Sequence, residues 1–280
     1  MPQVKIQPEN LSLDGTSLPL VAGVPLQMPG GAVANWLDQR LHLQHGPIDL
    51  IISADGAADV VMSAFARAAD AFDGLLATLV AELPTLRAPA NASPPPDLRG
   101  LVAKRMAEAI RPHLYRYESG DFITPMVAVA GSVADYILDA MGSGLDRAIV
   151  NNGGDIALHL SEGTFFDIGI ADDRDVCFSN FIKKASGKLA GNMPLKGQIR
   201  LGHGDQIGGV ATSGWRGRSH SFGIADSVTV LAKNAADADV AATLIANAIS
   251  VSSPVILRQP ANELVPDSDL QDRLVTVAVG

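Results

Sequence analysis

Helix-like and strand-like patterns occupy different parts of this 280-residue chain, and their separation restricts the fold more than any other feature. Apolar residues recur every three or four positions between Val61 and Leu83, which predicts an amphipathic helix that ends at Pro84. Short apolar runs bounded by Gly, Asn and Asp follow one another between residues 148 and 232, which predicts several strands. Strands in succession, with the helices gathered elsewhere, indicate the α+β class rather than a regular β-α-β array.

Further elements extend this pattern along the chain. Each is predicted from its apolar spacing and from the Thr, Asn, Gly or Pro at its boundary. They are a strand at Ile48–Ile52, helices at about 98–110, 124–141 and 235–250, and a last strand at Leu274–Val279. Residues 88–97 contain the run NASPPP, which predicts a stiff loop. We therefore expect a single domain over residues 1–280, with 88–97 as a candidate hinge between two lobes.

The composition excludes several function classes. Asp and Glu number 30 against 21 Lys and Arg, so the net charge is −9 and the phosphates of a nucleic acid would be repelled. The N-terminal residues contain no apolar core of a secretory signal, and no apolar run reaches the roughly 20 residues that a membrane helix needs. We therefore expect a cytoplasmic protein that binds neither nucleic acid nor a membrane.

The last long helix, residues 235–250, carries the most informative polar pattern. Asp239, Thr243 and Asn247 recur every four residues and form one ridge on a helix otherwise made largely of Ala, Val, Leu and Ile. A carboxylate and a hydroxyl one turn apart are oxygen ligands of the kind that Mg²⁺ or Ca²⁺ prefers. The alternative is a solvated stripe on a surface helix, but such stripes normally carry Lys, Glu and Arg, which this helix lacks.

A glycine-rich turn, Asn151–Asp155, separates two of the predicted strands. Gly153 and Gly154 allow backbone N–H groups to approach a ligand closely, while Asn152 and Asp155 offer hydrogen bonds. The same residues also suit a plain hairpin turn, because Asn-Gly and Gly-Gly pairs are favoured there. Both interpretations stay open.

A third segment, Thr212-Ser213-Gly214, follows a predicted strand. Such a turn can hold a phosphate group through its N–H and hydroxyl donors. Downstream of it, Arg216 and His220 add positive charge to an acidic chain, and histidine is the side chain whose unperturbed pKa best suits a general base near neutral pH. A mobile polar loop with a structural histidine is the alternative.

Taken together, the order of these motifs resembles that of the ApbE family, the FAD:protein FMN transferases. The run from Ala238 to Thr243 matches a family motif whose Asp and Thr bind Mg²⁺. The resemblance therefore implies that Asp239 and Thr243 are metal ligands. It also implies a third ligand, a backbone carbonyl, and the nearest match for it is Ala130 in the segment Ala130-Gly131-Ser132.

The resemblance also implies residues for nucleotide binding and catalysis. Gly153-Gly154-Asp155 and Thr212-Ser213-Gly214 match the family's Gly-Gly-Asp and Thr-Ser-Gly elements, and His220 matches the proposed base that activates the acceptor threonine. The complete expected site consists of catalytic His220 and Asp239, the metal ligands Ala130, Asp239 and Thr243, and the cofactor-binding residues Ala130, Gly131, Asn152, Gly153, Gly154, Asp155, Thr212, Ser213 and Gly214.

The resemblance covers about Ile48 to Asn247 and implies an α+β fold of antiparallel sheets packed with helices. That fold is related to the T-fold, whose other members bind purines and pterins. The implied cofactors are Mg²⁺ and FAD or a related nucleotide. The implied activity is FMN transfer or cleavage of the FAD pyrophosphate, with a small-molecule nucleotide and a protein acceptor as partners.

The chain departs from the family after the histidine. Family members continue with Asp-Pro-x-Thr-Gly, whereas this chain has Ser221-Phe-Gly-Ile-Ala-Asp226, and the Lys of the family's Ala-Lys-Gly segment is also absent. These departures indicate a cytoplasmic branch that lacks the segment. Two alternatives therefore stay open, a non-catalytic flavin- or nucleotide-binding module and an enzyme that acts on a pterin-like ligand.

Overall fold

An antiparallel sheet of eight strands is the centre of the fold in the computed structural model of this chain. The structure describes residues 11–13, 16–18, 24–37, 39–90, 97–114, 122–171, 195–217 and 219–280. Its strands are β1 (Leu11–Leu13), β2 (Thr16–Leu18), β3 (Leu26–Gln27), β4 (Val33–Leu37), β5 (Arg40–His45), β6 (Ile48–Asp55), β7 (Arg147–Asn152), β8 (Asp155–Leu160), β9 (Phe165–Ala171), β10 (Leu195–Gly202), β11 (Gly209–Ser213), β12 (Val228–Ala232), β13 (Ile256–Pro260) and β14 (Leu274–Val279). The order in the large sheet is β3-β4-β5-β6-β7-β8-β11-β12, and every neighbouring pair is antiparallel.

Helices pack against this sheet. In chain order they are α1 (Ala58–Phe72), α2 (Leu75–Ala81), α3 (Leu83–Leu86), α4 (Leu101–Ile110), α5 (Val129–Met141), α6 (Ala235–Ala248) and α7 (Ala261–Leu264). Helices α1 to α5 all lie between β6 and β7, two strands that pair directly with each other. Helix α5 packs on β7 and β8, and α6 packs on β11 and β12. Because helices and antiparallel strands are segregated along the chain, the expected α+β class is confirmed.

The core lies between the helices and the sheet because each presents an apolar face to the other. In β6, Ile48, Leu50 and Ile52 are buried, and the residues between them are only half-buried, as the two-residue period of a strand requires. In α1, the fully buried Phe65 and Phe72 are seven residues, or two helical turns, apart and therefore share one face.

The helix predicted between Val61 and Leu83 is broken in the structure. Helix α1 ends at Phe72, and α2 begins after Gly74, whose φ of 80° lies in the left-handed region. Glycine adopts that conformation without steric penalty, so the chain changes direction there. The prediction that Pro84 ends a helix was also wrong, because Pro84 lies in the first turn of α3, where its missing N–H leaves no helical hydrogen bond unmade.

Three smaller hairpins complete the described part of the fold, and the first of them pairs β1 with β2. Residues from β9 and β10, the second hairpin, belong to a second apolar cluster that includes Leu158, Leu201 and Val210. In the third hairpin, β13–β14, the N–H of Thr276 donates to the carbonyl oxygen of Ser221 at 2.9 Å. This hairpin therefore supports the segment that follows His220.

The remaining expectations for the fold have mixed outcomes. The helix expected at about 235–250 is confirmed as α6, and Asn234 caps it, because the Asn234 side chain accepts the N–H of Asp237 at 2.7 Å. The helix expected from Thr124 begins later, because Pro125–Ala128 form a 3₁₀ turn before α5 and Thr124 makes no capping bond. No helix within the described ranges is both long and apolar enough to cross a membrane. Residues 91–96, the centre of the predicted hinge, lie outside the described residues.

Candidate functional site

Two buried carboxylates connect the N-termini of α5 and α6. Asp135 in α5 accepts the N–H groups of Ala235 and Ala236 in the first turn of α6, at 2.9 Å each. Asp239 in α6 accepts the N–H of Gly131 in the first turn of α5, at 3.0 Å. Each helix therefore satisfies unpaired N–H groups at the N-terminus of the other. This reciprocal arrangement, which we name the helix junction, fixes Asp239 relative to α5.

Gly131 allows the two helices to approach this closely. A Cβ atom at this position would lie closer than 3.0 Å to backbone atoms of Ala235 and Ala236, which is nearer than real Cβ contacts. The small side chains on both helices continue the close fit, and Ala128, Ala235 and Ala236 are essentially fully buried. The small residues of α5 therefore permit a close approach to the backbone of α6.

The carboxyl group of Asp239 lies in an environment that disfavours its charge. Burial is the largest influence and raises the pKa of Asp239 well above its ordinary value, and the negative charge of Asp155 raises it further. Backbone N–H groups of Gly131 and Ala130 act in the opposite direction but do not outweigh burial. A cation placed between Asp239 and Asp155 would therefore stabilise the ionised form of both carboxylates.

Asp135 differs in having an arginine nearby. Burial raises the pKa of Asp135, whereas the N–H groups of Ala235 and Ala236 and the charge of Arg105 lower it. The guanidinium of Arg105 lies 3.6 Å from the Asp135 carboxylate and also pairs with Asp139 on the surface. Asp135 is thus a structural carboxylate with its own counter-charge.

The glycine-rich turn lies beside the helix junction. It is a two-residue hairpin turn between β7 and β8, in which Gly153 and Gly154 have φ angles of 66° and 117°. The Asn151 side chain accepts the N–H of Gly154 at 2.8 Å, and the Asn152 amide donates to the carbonyl of Ala130 at 3.1 Å. The hairpin interpretation is therefore confirmed, and the turn is also tied to the first turn of α5.

The turn has open space at its tip. A Cβ added at Gly154 would meet no atom within 4 Å. The structure thus brings together Ala130, Gly131, Asn152, Gly153, Gly154, Asp155 and Asp239, the part of the expected site that comes from three separate segments of the chain.

The carbonyl of Ala130 has two partners of its own. It accepts the Asn152 amide, and its position in α5 directs it to the N–H of Ala134 four residues later. A carbonyl oxygen has two lone pairs, so a cation at this atom would have to replace one of these donors. A metal-binding role for Ala130 stays a prediction.

The Thr-Ser-Gly segment is divided between two faces of the sheet. Ser213 is buried, and its hydroxyl lies 3.4 Å from that of Thr243 on α6. Thr212 is exposed, and its hydroxyl pairs with Thr229 of β12 at 2.9 Å. Because successive residues of a strand point to opposite faces, Ser213 joins the Asp239 side of the sheet and Thr212 does not. Gly214 allows the next turn to approach the backbone of Asp226, since a Cβ there would lie closer than 3.0 Å to it.

His220 lies toward the opposite end of α6. The adjacent Ser221 donates its hydroxyl to the Asn247 side chain at 2.8 Å, and the N–H of Phe222 donates to the same oxygen at 3.0 Å. Asn247 follows Asp239 by about 12 Å along the helix axis, at 1.5 Å per residue. Within the described part of the chain, the side chain of His220 forms no hydrogen bond or ion pair.

Two cavities lie away from this site. One of about 390 Å³ is lined by residues that include Asp70, Asp73, Glu82 and Tyr136. The other, of about 330 Å³, is lined by residues that include His159, His203 and Lys233. Neither contains a residue of the expected site, and in the described ranges no group of three or more His, Cys, Asp or Glu residues forms a metal cluster. A cation at Asp239 would therefore be coordinated by two carboxylates, by hydroxyl groups and by oxygen atoms of the bound small molecule.

Asp135, which anchors the start of α6, is not among the site residues predicted from the sequence. Its signal was weak because one carboxylate in a helix of small residues does not reveal its partner. Asp135 is nevertheless the one charged residue between Pro125 and Leu138. A charge at such a position in a buried helix normally requires a partner, and this rule could have identified it.

Comparison with known proteins gives the same family relationship. A family model described as AbpE bacteria matches residues 34–280. A UPF0280 protein of Methanothermobacter thermautotrophicus is 35% identical over 183 residues, which cover 64% of this chain and 60% of the relative. UPF0280 proteins of Methanothrix thermoacetophila and Methanococcus vannielii are 33% identical over 165 residues (58% of this chain, 55% of the relative) and 37% identical over 140 residues (47% of each).

The matched regions thus span between about half and three fifths of these relatives. The family model extends further, over most of the chain including the helix junction and the segment around His220. The chain therefore belongs to the family described as AbpE bacteria, which is related to ApbE.

Proposed function

We propose that this chain binds a flavin or another nucleotide through a divalent cation, Mg²⁺ in the first instance, held at Asp239. One observation carries the proposal. A buried carboxylate, under the charge of a second carboxylate, lies beside a glycine turn whose tip is open. Without a cation, this arrangement is unfavourable for the ionised carboxylates, since burial and like charge both act against them.

The donor groups suit a hard cation. Asp239 and Asp155 supply carboxylate oxygens, and Thr243, one turn after Asp239, supplies a hydroxyl. Oxygen ligands of this kind, completed by water and by phosphate, are what Mg²⁺ prefers. When bound, Mg²⁺ would supply positive charge that neutralises phosphate oxygens.

The chain's own residues would position the nucleotide. Glycines at 153 and 154 permit a phosphate to approach backbone N–H groups at the turn. Asn152 holds that turn against α5, which keeps it near Asp239. Ser213 and Thr243 would donate hydroxyl hydrogen bonds from the neighbouring strand and helix, and Thr212 would not, because it lies on the other face.

Two functions are compatible with such binding. In the first, His220 accepts the proton of a hydroxyl group that attacks the FMN phosphate of FAD, the pyrophosphate bond breaks and AMP leaves. A hydroxyl of a protein acceptor then receives FMN, whereas attack by water gives cleavage of FAD to FMN and AMP. In the second candidate function the protein binds the nucleotide without reaction. The second is favoured by His220, since catalytic histidines are normally oriented by a hydrogen-bond partner and this side chain has none in the described residues.

Calorimetric titration of FMN with and without MgCl₂ tests the proposed binding. We expect binding that requires Mg²⁺ and is weakened about tenfold or more in Asp239→Asn, which keeps the shape of the side chain but removes its charge. Asp237→Asn, on the same helix, is the matched control and should bind like the wild type. Equal FMN affinity in EDTA and MgCl₂, or in Asp239→Asn and the wild type, would contradict the proposal.

A second assay separates the two candidate functions. The protein is incubated with FAD and MgCl₂, with and without a flavin-acceptor domain, and release of AMP and covalent labelling are followed. FMN transfer predicts that the acceptor domain is labelled by the wild type and is not labelled by His220→Ala. The binding function predicts intact FAD and an unlabelled acceptor despite saturation of the site.

A further inference from the structure

A tryptophan immediately after the Thr-Ser-Gly segment is held in a defined position at the surface. The Trp215 side-chain N–H donates to the Asp226 carboxylate at 3.1 Å, and its backbone N–H donates to the carbonyl of Ala225 at 3.1 Å. Arg216 lies over the indole ring, with its guanidinium carbon 4.8 Å from the ring centroid. The Arg216 guanidinium also pairs with Asp226 at 2.7 Å.

These three side chains form a layered unit that remains accessible. Trp215 is half-buried, and the side chains of Arg216 and Asp226 are 47% and 61% exposed. Asp226 neutralises Arg216 and fixes both the guanidinium and the indole. The unit is therefore a flat, preorganised surface, since an aromatic ring and a guanidinium plane both stack with planar heterocycles.

The Trp215–Arg216–Asp226 unit lies close to the residues that are proposed to bind the phosphates. Ser213 contacts Thr243, which is one helical turn after Asp239. Trp215 follows Ser213 by two residues, a span of at most about 7 Å. A nucleotide with its phosphates at Asp239 and its ring toward Trp215 would therefore lie along the first turns of α6.

The other tryptophan of the chain contrasts with Trp215. Trp36 is 4% exposed and makes an edge-to-face contact with Phe65, with 5.4 Å between the ring centroids. It is an ordinary core residue. Trp215 has no aromatic partner among the described residues and is held instead by polar bonds.

We infer that the Trp215–Arg216–Asp226 unit stacks against the planar heterocycle of the nucleotide bound at Asp239. The inference rests on the proposed function and adds a ring-binding residue to it. Stacking on a flat surface recognises the ring system of the nucleotide and not its phosphates. The affinity for ligands without a ring should therefore not depend on Trp215.

The two tryptophans allow the inference to be tested by fluorescence. In Trp36→Phe, the emission of Trp215 alone is followed while FMN is added in MgCl₂. We expect strong quenching with the same midpoint as calorimetric binding. In Trp215→Phe, which leaves Trp36 as the emitter, we expect much weaker quenching at the same FMN occupancy.

Affinities of Trp215 variants provide the second readout. Trp215→Ala should lose about tenfold or more in FMN affinity, while Trp215→Phe retains most of it and the affinity for inorganic pyrophosphate stays unchanged in both. If FMN binds in a Mg²⁺-dependent way but neither quenches Trp215 nor responds to Trp215→Ala, the inference fails and the proposed function stands. An equal loss of FMN and pyrophosphate affinity would make Trp215 a structural residue. If neither ligand binds the wild type, both are overturned.

Discussion

The two ends of helix α6 carry residues of the same polar ridge but use them differently. At its start, Asp239 is a buried carboxylate that meets the N-terminus of α5 and the charge of Asp155. Near its end, Asn247 is a neutral amide whose oxygen is satisfied by Ser221 and Phe222. At the first end, a cation can stabilise the unfavourable charge of Asp239. At the second end, the Asn247 side-chain oxygen already has its hydrogen-bond donors. A periodic polar ridge therefore does not by itself mark a site; an incompletely compensated charge does.

The largest effect is expected at the helix junction from Gly131→Ala. Alanine normally favours a helix by about 1 kcal/mol over glycine, but here its Cβ would collide with the backbone of Ala235 and Ala236. We expect a net loss of about 2–3 kcal/mol in the free energy of unfolding, measured by urea denaturation. Gly204→Ala, where a Cβ meets no atom within 4 Å, is the control and should stay within about 0.5 kcal/mol of the wild type. If Gly131→Ala were as stable as Gly204→Ala, the close contact between α5 and α6 at the helix junction would be contradicted.

A slightly smaller loss is expected from Asp135→Ala. Removal of the carboxylate leaves the buried N–H groups of Ala235 and Ala236 without partners, which costs about 2 kcal/mol in the free energy of unfolding. The matched change Asp139→Ala removes an exposed carboxylate that also pairs with Arg105, so about 0.5 kcal/mol or less is expected. Equal losses in the two variants would mean that Asp135 does not anchor α6.

The hydrogen bonds that Asn247 accepts at the other end of α6 should affect stability without affecting Mg²⁺ binding. Asn247→Ala removes the acceptor for Ser221 and Phe222 and should cost about 1–2 kcal/mol in unfolding free energy. Because these bonds lie about 12 Å from Asp239 along the helix, Mg²⁺ binding should be unchanged. A large loss of Mg²⁺ affinity in this variant would show that the two ends of α6 act as one unit.

The smallest effect, taken per pH unit, is a pH dependence of stability specific to the charged end. The pKa of Asp239 is higher in the folded protein than in the unfolded chain, so the folded state binds the proton more strongly. Stability should therefore fall as pH rises from about 4 through the raised pKa of Asp239, by at most about 1.4 kcal/mol per pH unit. Urea denaturation in EDTA across this range should give a shallower decline for Asp239→Asn. An identical pH dependence in both proteins would contradict the claim that the folded protein disfavours the ionised form of Asp239.

The sequence predicted the components of the site better than their contacts. The ridge on α6, the glycine turn and the Ala130-Gly131-Ser132 segment of α5 could all be recognised in the sequence, because each is a local pattern. Their meeting at Gly131 is a contact between residues more than 100 positions apart, and no local pattern encodes it. The division of Thr212 from Ser213 was accessible in principle, since strand alternation alone separates their faces.

The fold was predicted unevenly for similar reasons. The α+β class followed from the segregation of patterns, but β3, β4 and β5 lie in an N-terminal region rich in Gly and Pro, where apolar alternation is short, as at Leu41 and Leu43 of β5. The break of the first helix at Gly74 depends on a left-handed φ that the sequence permits but does not require. Asp135 escaped detection because its partners are backbone N–H groups, which carry no sequence signal.

Stabilisation by Mg²⁺ alone tests the central claim most directly. Urea denaturation near neutral pH is followed over a MgCl₂ series, with NaCl added to keep the ionic strength constant. We expect wild-type stability to rise by about 2.7 kcal/mol at a Mg²⁺ concentration 100 times the dissociation constant, and Asp239→Asn to show no such rise. Asp237→Asn should behave like the wild type. An equal rise in Asp239→Asn, or none in the wild type, would contradict a cation site at Asp239.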